Sequence, residues 1–278
     1  MTKKMKEDDE KLLSEKKTVS DVHAETDIYY DSVHTMDLYY PLCQEENKML
    51  VLDIHGGAWV YGDKKYNQHF CMNLSKHGFP VFNMNYSLVP EVDVKKQVQQ
   101  IFDAIRFIRA NYPQYRSYRL CLSGDSAGAH LASLCAAVTK YSYLQMQYEV
   151  YIGDIKIDAL LLQHGVYQLQ PMRESNNLMM KVLHRWMFPQ KNITDCLWPC
   201  LDKNWDIPVF LLSSEQDEMF CRQTLRLAKR LEELSCPHEL LFWDKSYEKL
   251  RHVFHIAFPD LEESQVSIEK MAQFLKNQ

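Results

Sequence analysis

An α/β fold, a mainly parallel central sheet flanked by helices with a helical cap added, is predicted by three observations. Short runs that are apolar almost throughout recur along the chain, as strands covered on both faces of a parallel sheet require. Stretches with apolar residues at helical spacing alternate with them, which is the βα rhythm of a sheet wrapped by helices. The 278 residues, 46% hydrophobic and 25% charged, supply the core of one large domain, expected to span 1–278.

The elements follow in order. Residues 1–34 open with a charged leader of Lys, Glu and Asp, expected to contribute to the cap. Asp27 to Tyr30 and Met36 to Tyr40 read as two short strands, the second stopped by Pro41. Met49 to Ile54 is a stronger one, and Pro80 to Tyr86, Arg119 to Ser123, Asp158 to Gln163, Pro208 to Ser213 and His238 to Trp243 repeat the theme. Helices are predicted over Val94 to Ala110, Ser126 to Thr139, Met219 to Leu234 and Glu262 to Lys276, the last carrying Ile268, Met271 and Leu275 on one face. The interval 165–206 breaks the rhythm. It holds Met172, Met179, Met180, Trp186, Met187, Phe188, Trp198 and Trp205 without a convincing strand, and is expected to be an inserted helical cap, with ordinary core helices as the alternative.

Composition excludes several classes. A net charge of −5 supplies no basic face for nucleic acid. The leader lacks the apolar stretch of a secretory signal, and no run is long enough to span a bilayer. Eight cysteines scattered through a chain of this size fit reduced thiols and a cytoplasmic setting. Cys196 and Cys200 lack the spacing and the second ligand pair of common zinc sites, so neither metal nor cofactor is expected.

The strongest chemical signal is Gly124-Asp125-Ser126-Ala127-Gly128. Chance supplies a bare G-x-S-x-G in roughly a tenth of chains this long, so its setting matters. It follows a predicted strand and opens an Ala-rich helix, which is the strand–turn–helix context of a nucleophile elbow. Four of the chain's 8 glycines (56, 57, 124 and 128) lie in this motif and in His55-Gly56-Gly57-Ala58-Trp59. The latter follows the strand ending at Ile54, and its small residues allow backbone N–H groups to approach a substrate oxygen, the work of an oxyanion hole. Ser126 is therefore the expected nucleophile. Acid and base should follow downstream in the order Ser, Asp or Glu, His. The loop Ser214-Glu215-Gln216-Asp217-Glu218 offers three carboxylates at the carboxyl end of a strand, of which Asp217 is the expected acid, Glu215 its competitor and Glu218 the better match to a helix-start charge. Arg251-His252-Val253-Phe254-His255 offers two candidate bases.

These motifs resemble the hormone-sensitive-lipase-like branch of the α/β-hydrolase esterases from about Asp37 to Phe274. That family carries His-Gly-Gly-Gly where this chain has His55 to Ala58, the same five residues as Gly124 to Gly128, Tyr-Arg-Leu-Ala-Pro-Glu where it has Tyr86 to Glu91, and His-Gly-Phe where it has His252 to Phe254. The resemblance implies His252 rather than His255 as base, and the N–H groups of Gly57, Ala58 and Ala127 as oxyanion donors. It also implies a cap built from N-terminal residues and an insertion before the acid-bearing strand. Three departures, Ala58, Ser87 and Val253, suggest a divergent, bacterial-type subgroup; a backbone donor survives at Ala58 provided φ stays negative. The implied activity is hydrolysis of small or short-chain acyl esters, with no cofactor, through a Ser126–Asp217–His252 triad. The same triad also serves amidases, formamidases and peptidases, and a silent member of the fold would only bind a small molecule.

Overall fold

The computed structural model describes residues 10–14, 16, 19–42, 48–190 and 192–278. Part of the charged leader, and Cys43, lie outside them. Eight strands form one sheet: β1 Val22–Tyr29, β2 Thr35–Pro41, β3 Met49–Ile54, β4 Val81–Met84, β5 Arg119–Asp125, β6 Ala159–Gln163, β7 Val209–Ser214 and β8 His238–Trp243. Their spatial order is β1-β2-β4-β3-β5-β6-β7-β8. The β1–β2 and β2–β4 pairs are antiparallel and every other pair is parallel.

Helices α1 Lys64–Ser75, α2 Val94–Asn111, α3 Ala127–Lys140, α4 Ser142–Tyr148, α5 Gln170–Arg173, α6 Leu178–Met187, α7 Cys221–Glu233, α8 Phe254–Ala257 and α9 Glu262–Lys276 connect the strands. The strand side chains alternate between two cores. Leu50, Leu52 and Ile54 of β3 join Val98, Ile101 and Ile105 of α2, Leu131 and Leu134 of α3, and Leu227 of α7 on one face. Met49 and Val51 meet Phe70 and Leu74 of α1 and Ile268, Met271 and Leu275 of α9 on the other. With both faces covered, the central strands must be apolar throughout, which is why they were legible as continuous runs.

Two elements differ from expectation. Helix α1 has no counterpart among the predicted helices because its apolar stripe is thin: Phe70, Cys71 and Leu74 are buried beside Asn67 and Asn73. What starts it is Asp63, whose side chain accepts from Lys65 N, a helix N-cap. The leader also divides. Val22–Tyr29 is the sheet-edge strand β1, paired with β2 and tied to it by Lys64 Nζ, which bonds both Asp27 and Asp37. The sheet therefore takes part of the stretch assigned to the cap, since its backbone groups find ladder partners there. Upstream of it, Leu12 and Lys16 reach the cleft described below.

In the interval 165–206 the large apolar residues split. Met187, Phe188, Leu197 and Trp205 are buried, whereas Leu178, Met179, Met180 and Trp186 face outward. The segment is anchored by His130 Nε2, which donates to Asp195 O at 2.7 Å, and by Tyr148 Oη, which donates to Thr194 O at 2.5 Å. Among the described residues no helix is long and apolar enough to cross a membrane.

Candidate active site

Ser126 sits between β5 and α3 with φ 51° and ψ −114°, a backbone conformation that costs a non-glycine residue of order 1–3 kcal/mol. Its neighbours make that turn possible. A Cβ on Gly124 would lie 2.5 Å from the Gly128 carbonyl, and one on Gly128 would lie 1.8 Å from Ile54 O. Only glycine lets α3 start directly against the end of β3, and the Ser126 N–H is used to bond Gln163 O at 2.8 Å.

The adjacent loop Gly56–Trp59 leaves β3 and is held from behind. Gly56 N donates to Asp125 Oδ1 at 2.9 Å. Asn67 Nδ2 donates to that same oxygen at 2.9 Å and to Asp53 Oδ2 at 2.8 Å, while Ser123 Oγ donates to Asp53 Oδ1 at 2.6 Å. Trp59 Nε1 donates to His130 Nδ1 at 3.1 Å, and the His55 ring stacks on Tyr86 with centroids 4.4 Å apart. Burial, reinforced by the nearby Asp53 charge and opposed by the Asn67 and Gly56 bonds, pushes the Asp125 carboxyl up to about 6. Ala58 and Trp59 have φ 51° and 64°, so the condition of a negative φ at Ala58 is not met. Its N–H is retained all the same, because a positive φ crowds Cβ and removes no donor.

Across the cleft, Asp217 follows β7 and His252 follows β8. His252 Nε2 stands 3.0 Å from Ser126 Oγ and His252 Nδ1 3.0 Å from Asp217 Oδ2. A carboxylate only accepts, so Nδ1 carries the proton and Nε2 is free to accept from the serine hydroxyl. Asp217 is 1% exposed and its Oδ1 accepts from Phe220 N at 3.2 Å. Burial alone would raise its carboxyl, yet the bonds and charge of His164 and His252 prevail and hold it well below the usual carboxylate range. The His252 loop is pinned by Ser214 Oγ, which donates to Leu250 O.

The other candidates are placed elsewhere. Glu215 is exposed and accepts from Lys245 N at 3.0 Å, Glu218 is exposed, and His255 is fully buried, edge-on to Phe70 at 5.3 Å. Of the three departures from the family pattern, Ser87 bonds His34 Nε2 and Gln100 Nε2 at 2.8 Å each, while Val253 has φ 50°, unusual for a β-branched residue.

Ser126, His252, Gly57, Ala58 and Ala127 line one cleft of about 370 Å³. Its remaining wall is largely apolar, with Leu12, Val166, Met219, Phe220, Val253 and Ile256. From the interval 165–206, Val166 contributes to it; Gln168, Trp198 and Leu201 instead line a separate open depression beside Arg226 and Arg230. Two site residues were not anticipated. His164, directly after β6, brings Nδ1 to 2.8 Å from Asp217 Oδ2; its position at the carboxyl end of a parallel strand was the available signal. Asn67 was missed because its helix was missed. Among the described residues, His164, Asp217 and His252 form a group with ligand-type atoms within 4.8 Å of one another, already joined by the two hydrogen bonds.

Residues 36–231 match the BD-FAE family model. The chain belongs to the BD-FAE family. It is thereby an α/β-hydrolase of the esterase and lipase type, akin to hormone-sensitive lipase. It is similar to kynurenine formamidase of Danio rerio, 31% identical over 137 residues, covering 49% of this chain and 43% of that protein. It is also similar to esterase LipQ of Mycobacterium tuberculosis, 26% identical over 182 residues, covering 61% and 42%. The chain spans less than half the length of these curated relatives. Among solved structures, an inhibited esterase B from Lactobacillus rhamnosis superposes with a TM-score of 0.87 at 27% identity, covering 99% of this chain and 94% of that one.

Proposed function

We propose that this BD-FAE family member is a serine carboxylic-ester hydrolase for small or short-chain acyl esters. The observation that carries the reading is the continuous chain from Ser126 Oγ through His252 to Asp217 Oδ2, with two contacts of 3.0 Å. His252 takes the Ser126 proton as Oγ attacks the ester carbonyl, and returns it to the departing alcohol. Asp217 orients the ring and stabilises the imidazolium. The N–H groups of Gly57, Ala58 and Ala127 receive the oxyanion, each donor contributing about 3 kcal/mol to the transition state. A water activated by His252 then releases the acid from the acyl-serine.

The apolar wall of the cleft suits an uncharged acyl group, and about 370 Å³ lies near the low end of the roughly 300–1,000 Å³ of small-molecule pockets, which favours short chains. Part of the leader, through Leu12 and Lys16, and the interval 165–206, through Val166, act as the cap. The free, buried cysteines among the described residues support a cytoplasmic setting.

The alternative favoured by a specific observation is a formamidase, given the likeness to kynurenine formamidase. A panel of p-nitrophenyl acetate, butyrate and octanoate against formanilide and the matching anilides separates the two. Faster turnover of the short esters is expected; preferential turnover of formanilide overturns the ester assignment. A fluorophosphonate probe should label wild type and not Ser126→Ala, and a folded wild type that resists labelling would indicate a binding protein.

A further inference from the structure

His164 is fully buried at the end of β6, with φ 49°. Its Nδ1 lies 2.8 Å from Asp217 Oδ2, the same oxygen that His252 Nδ1 approaches to 3.0 Å. The two imidazoles meet edge to face, with centroids 5.7 Å apart at 90°. Behind His164, the His255 ring stacks at 5.8 Å and Phe254 closes the side at 5.5 Å. Since Asp217 offers only acceptors, His164 must donate through Nδ1. Among the described residues its Nε2 has no hydrogen-bond partner, as befits the unprotonated nitrogen of a neutral ring. Burial, together with the adjacent His252, disfavours the charged form of His164 and outweighs the opposing pull of Asp217.

We propose that His164 is a positioning residue that tunes the base: by sharing Oδ2 with His252, its Nδ1–H fixes the Asp217 carboxylate and limits that carboxylate's pull on the His252 imidazolium. The proposal rests on the reading of Ser126, His252 and Asp217 as the catalytic groups. The titratable groups around the pair are Asp217 from the loop after β7, His255 from α8 and Asp125 from the nucleophile elbow, whose charge reaches His252, with Lys16 acting on His255 and with Tyr167 after β6 and Cys221 of α7 facing Asp217. His164 Nδ1 and His252 Nδ1 both meet Asp217 Oδ2, at 2.8 and 3.0 Å, so the two histidines share that oxygen.

The sign follows. Without the His164 donor, the carboxylate's charge is less compensated, the His252 imidazolium is held more strongly, and the base becomes available only at higher pH. The test is the rate of Ser126 labelling by a fluorophosphonate as a function of pH, a readout independent of substrate class. In His164→Leu the acid limb should move up by about one pH unit, a tenfold change in the protonated-to-free ratio. In His164→Asn, whose amide N–H stands near the position of Nδ1, the limb should stay close to wild type. A Leu variant with an unmoved limb, or Leu and Asn variants shifted alike, overturns the proposal. NMR of ¹⁵N-histidine-labelled wild type against His164→Asn reads His164 directly: a non-titrating Nδ1–H tautomer is expected, and an Nε2–H tautomer overturns the proposal even if the Leu variant fails to fold. Labelling that persists in Ser126→Ala would instead refute the catalytic reading and leave the tautomer result standing by itself.

Discussion

On one side of the cleft, Ser126 and the Gly56–Trp59 loop are held by backbone: a strained turn, glycines packed against the Ile54 and Gly128 carbonyls, and a buried Asp125 accepting from Gly56 N. On the other side, Asp217 and His252 are held by side-chain bonds that join the ends of β6, β7 and β8. The two sides also carry opposite electrostatics. Asp125 is pushed up by burial and the Asp53 charge, while Asp217 is held down by two histidine donors that overcome its burial. A rigid donor side can rely on steric exclusion; an acid–base side must keep a carboxylate charged inside the protein, and hydrogen bonds do that.

The largest effects should come from breaking the link between the sides. Ser126→Ala and His252→Ala are each expected to lower kcat by about 10⁴-fold or more with an unchanged melting temperature; residual activity near wild type in either would remove that residue from the triad. Gly128→Ala should act through the fold, because the new Cβ would meet Ile54 O at 1.8 Å. A loss of more than about 3 kcal/mol in denaturant unfolding is expected, and a mild loss would mean that the elbow can relax.

The pH dependence separates the sides by sign. Asp125 binds its proton near 6 when folded and near 4 when unfolded, so its contribution is fully present below about pH 4 and is lost as pH rises towards 6. Asp125→Asn, which keeps an acceptor for Gly56 N, should therefore gain stability over wild type across that window, by about 2–3 kcal/mol at most. Asp217→Asn should lose stability at neutral pH, the gap closing as pH falls below the ordinary carboxylate value and wild-type Asp217 in turn becomes protonated. Thermal denaturation from about pH 7.5 down to about pH 1.5 reads both, the Asp125 window lying between about pH 4 and 6 and the Asp217 window below about pH 4, and parallel slopes would erase the contrast.

Smaller effects sharpen it. His255→Leu removes two buried ring nitrogens without a hydrogen-bond partner among the described residues, so stability should rise by about 1 kcal/mol while kcat/KM stays within about twofold; a collapse of kcat/KM would make His255 part of the machinery. Val253→Gly restores glycine at φ 50° and should change stability by less than about 1 kcal/mol, strain relief offsetting the added freedom of the unfolded chain.

The difference between the sides explains what could be read in advance. Backbone constraint leaves local marks. Gly124, Gly128, Gly56 and Gly57 stand where a Cβ or a negative φ is not tolerated, and the central strands are apolar because both faces are covered. Side-chain constraint leaves fainter ones. His252 and His255 are three residues apart and differ in setting because the turn through Val253 aims one ring at Ser126 and buries the other. His164 carries no local mark beyond its place after a strand, and Asn67 lies in a helix whose apolar stripe is thin. Strand β1 starts at Val22 and not at the expected Asp27, because β2 offers ladder partners back to Pro41.

The amino-acid sequence by itself determined the α/β class, the order of strands and helices along the chain, the tight turn at Ser126 and the glycine loop after β3, because each depends on residues close in sequence. Only the tertiary structure put His252 rather than His255 beside Ser126, placed Glu215 against Lys245, and brought His164 to Asp217 Oδ2. Those outcomes depend on which strand ends lie side by side, and groups 35 to 126 residues apart become neighbours only when the sheet has formed.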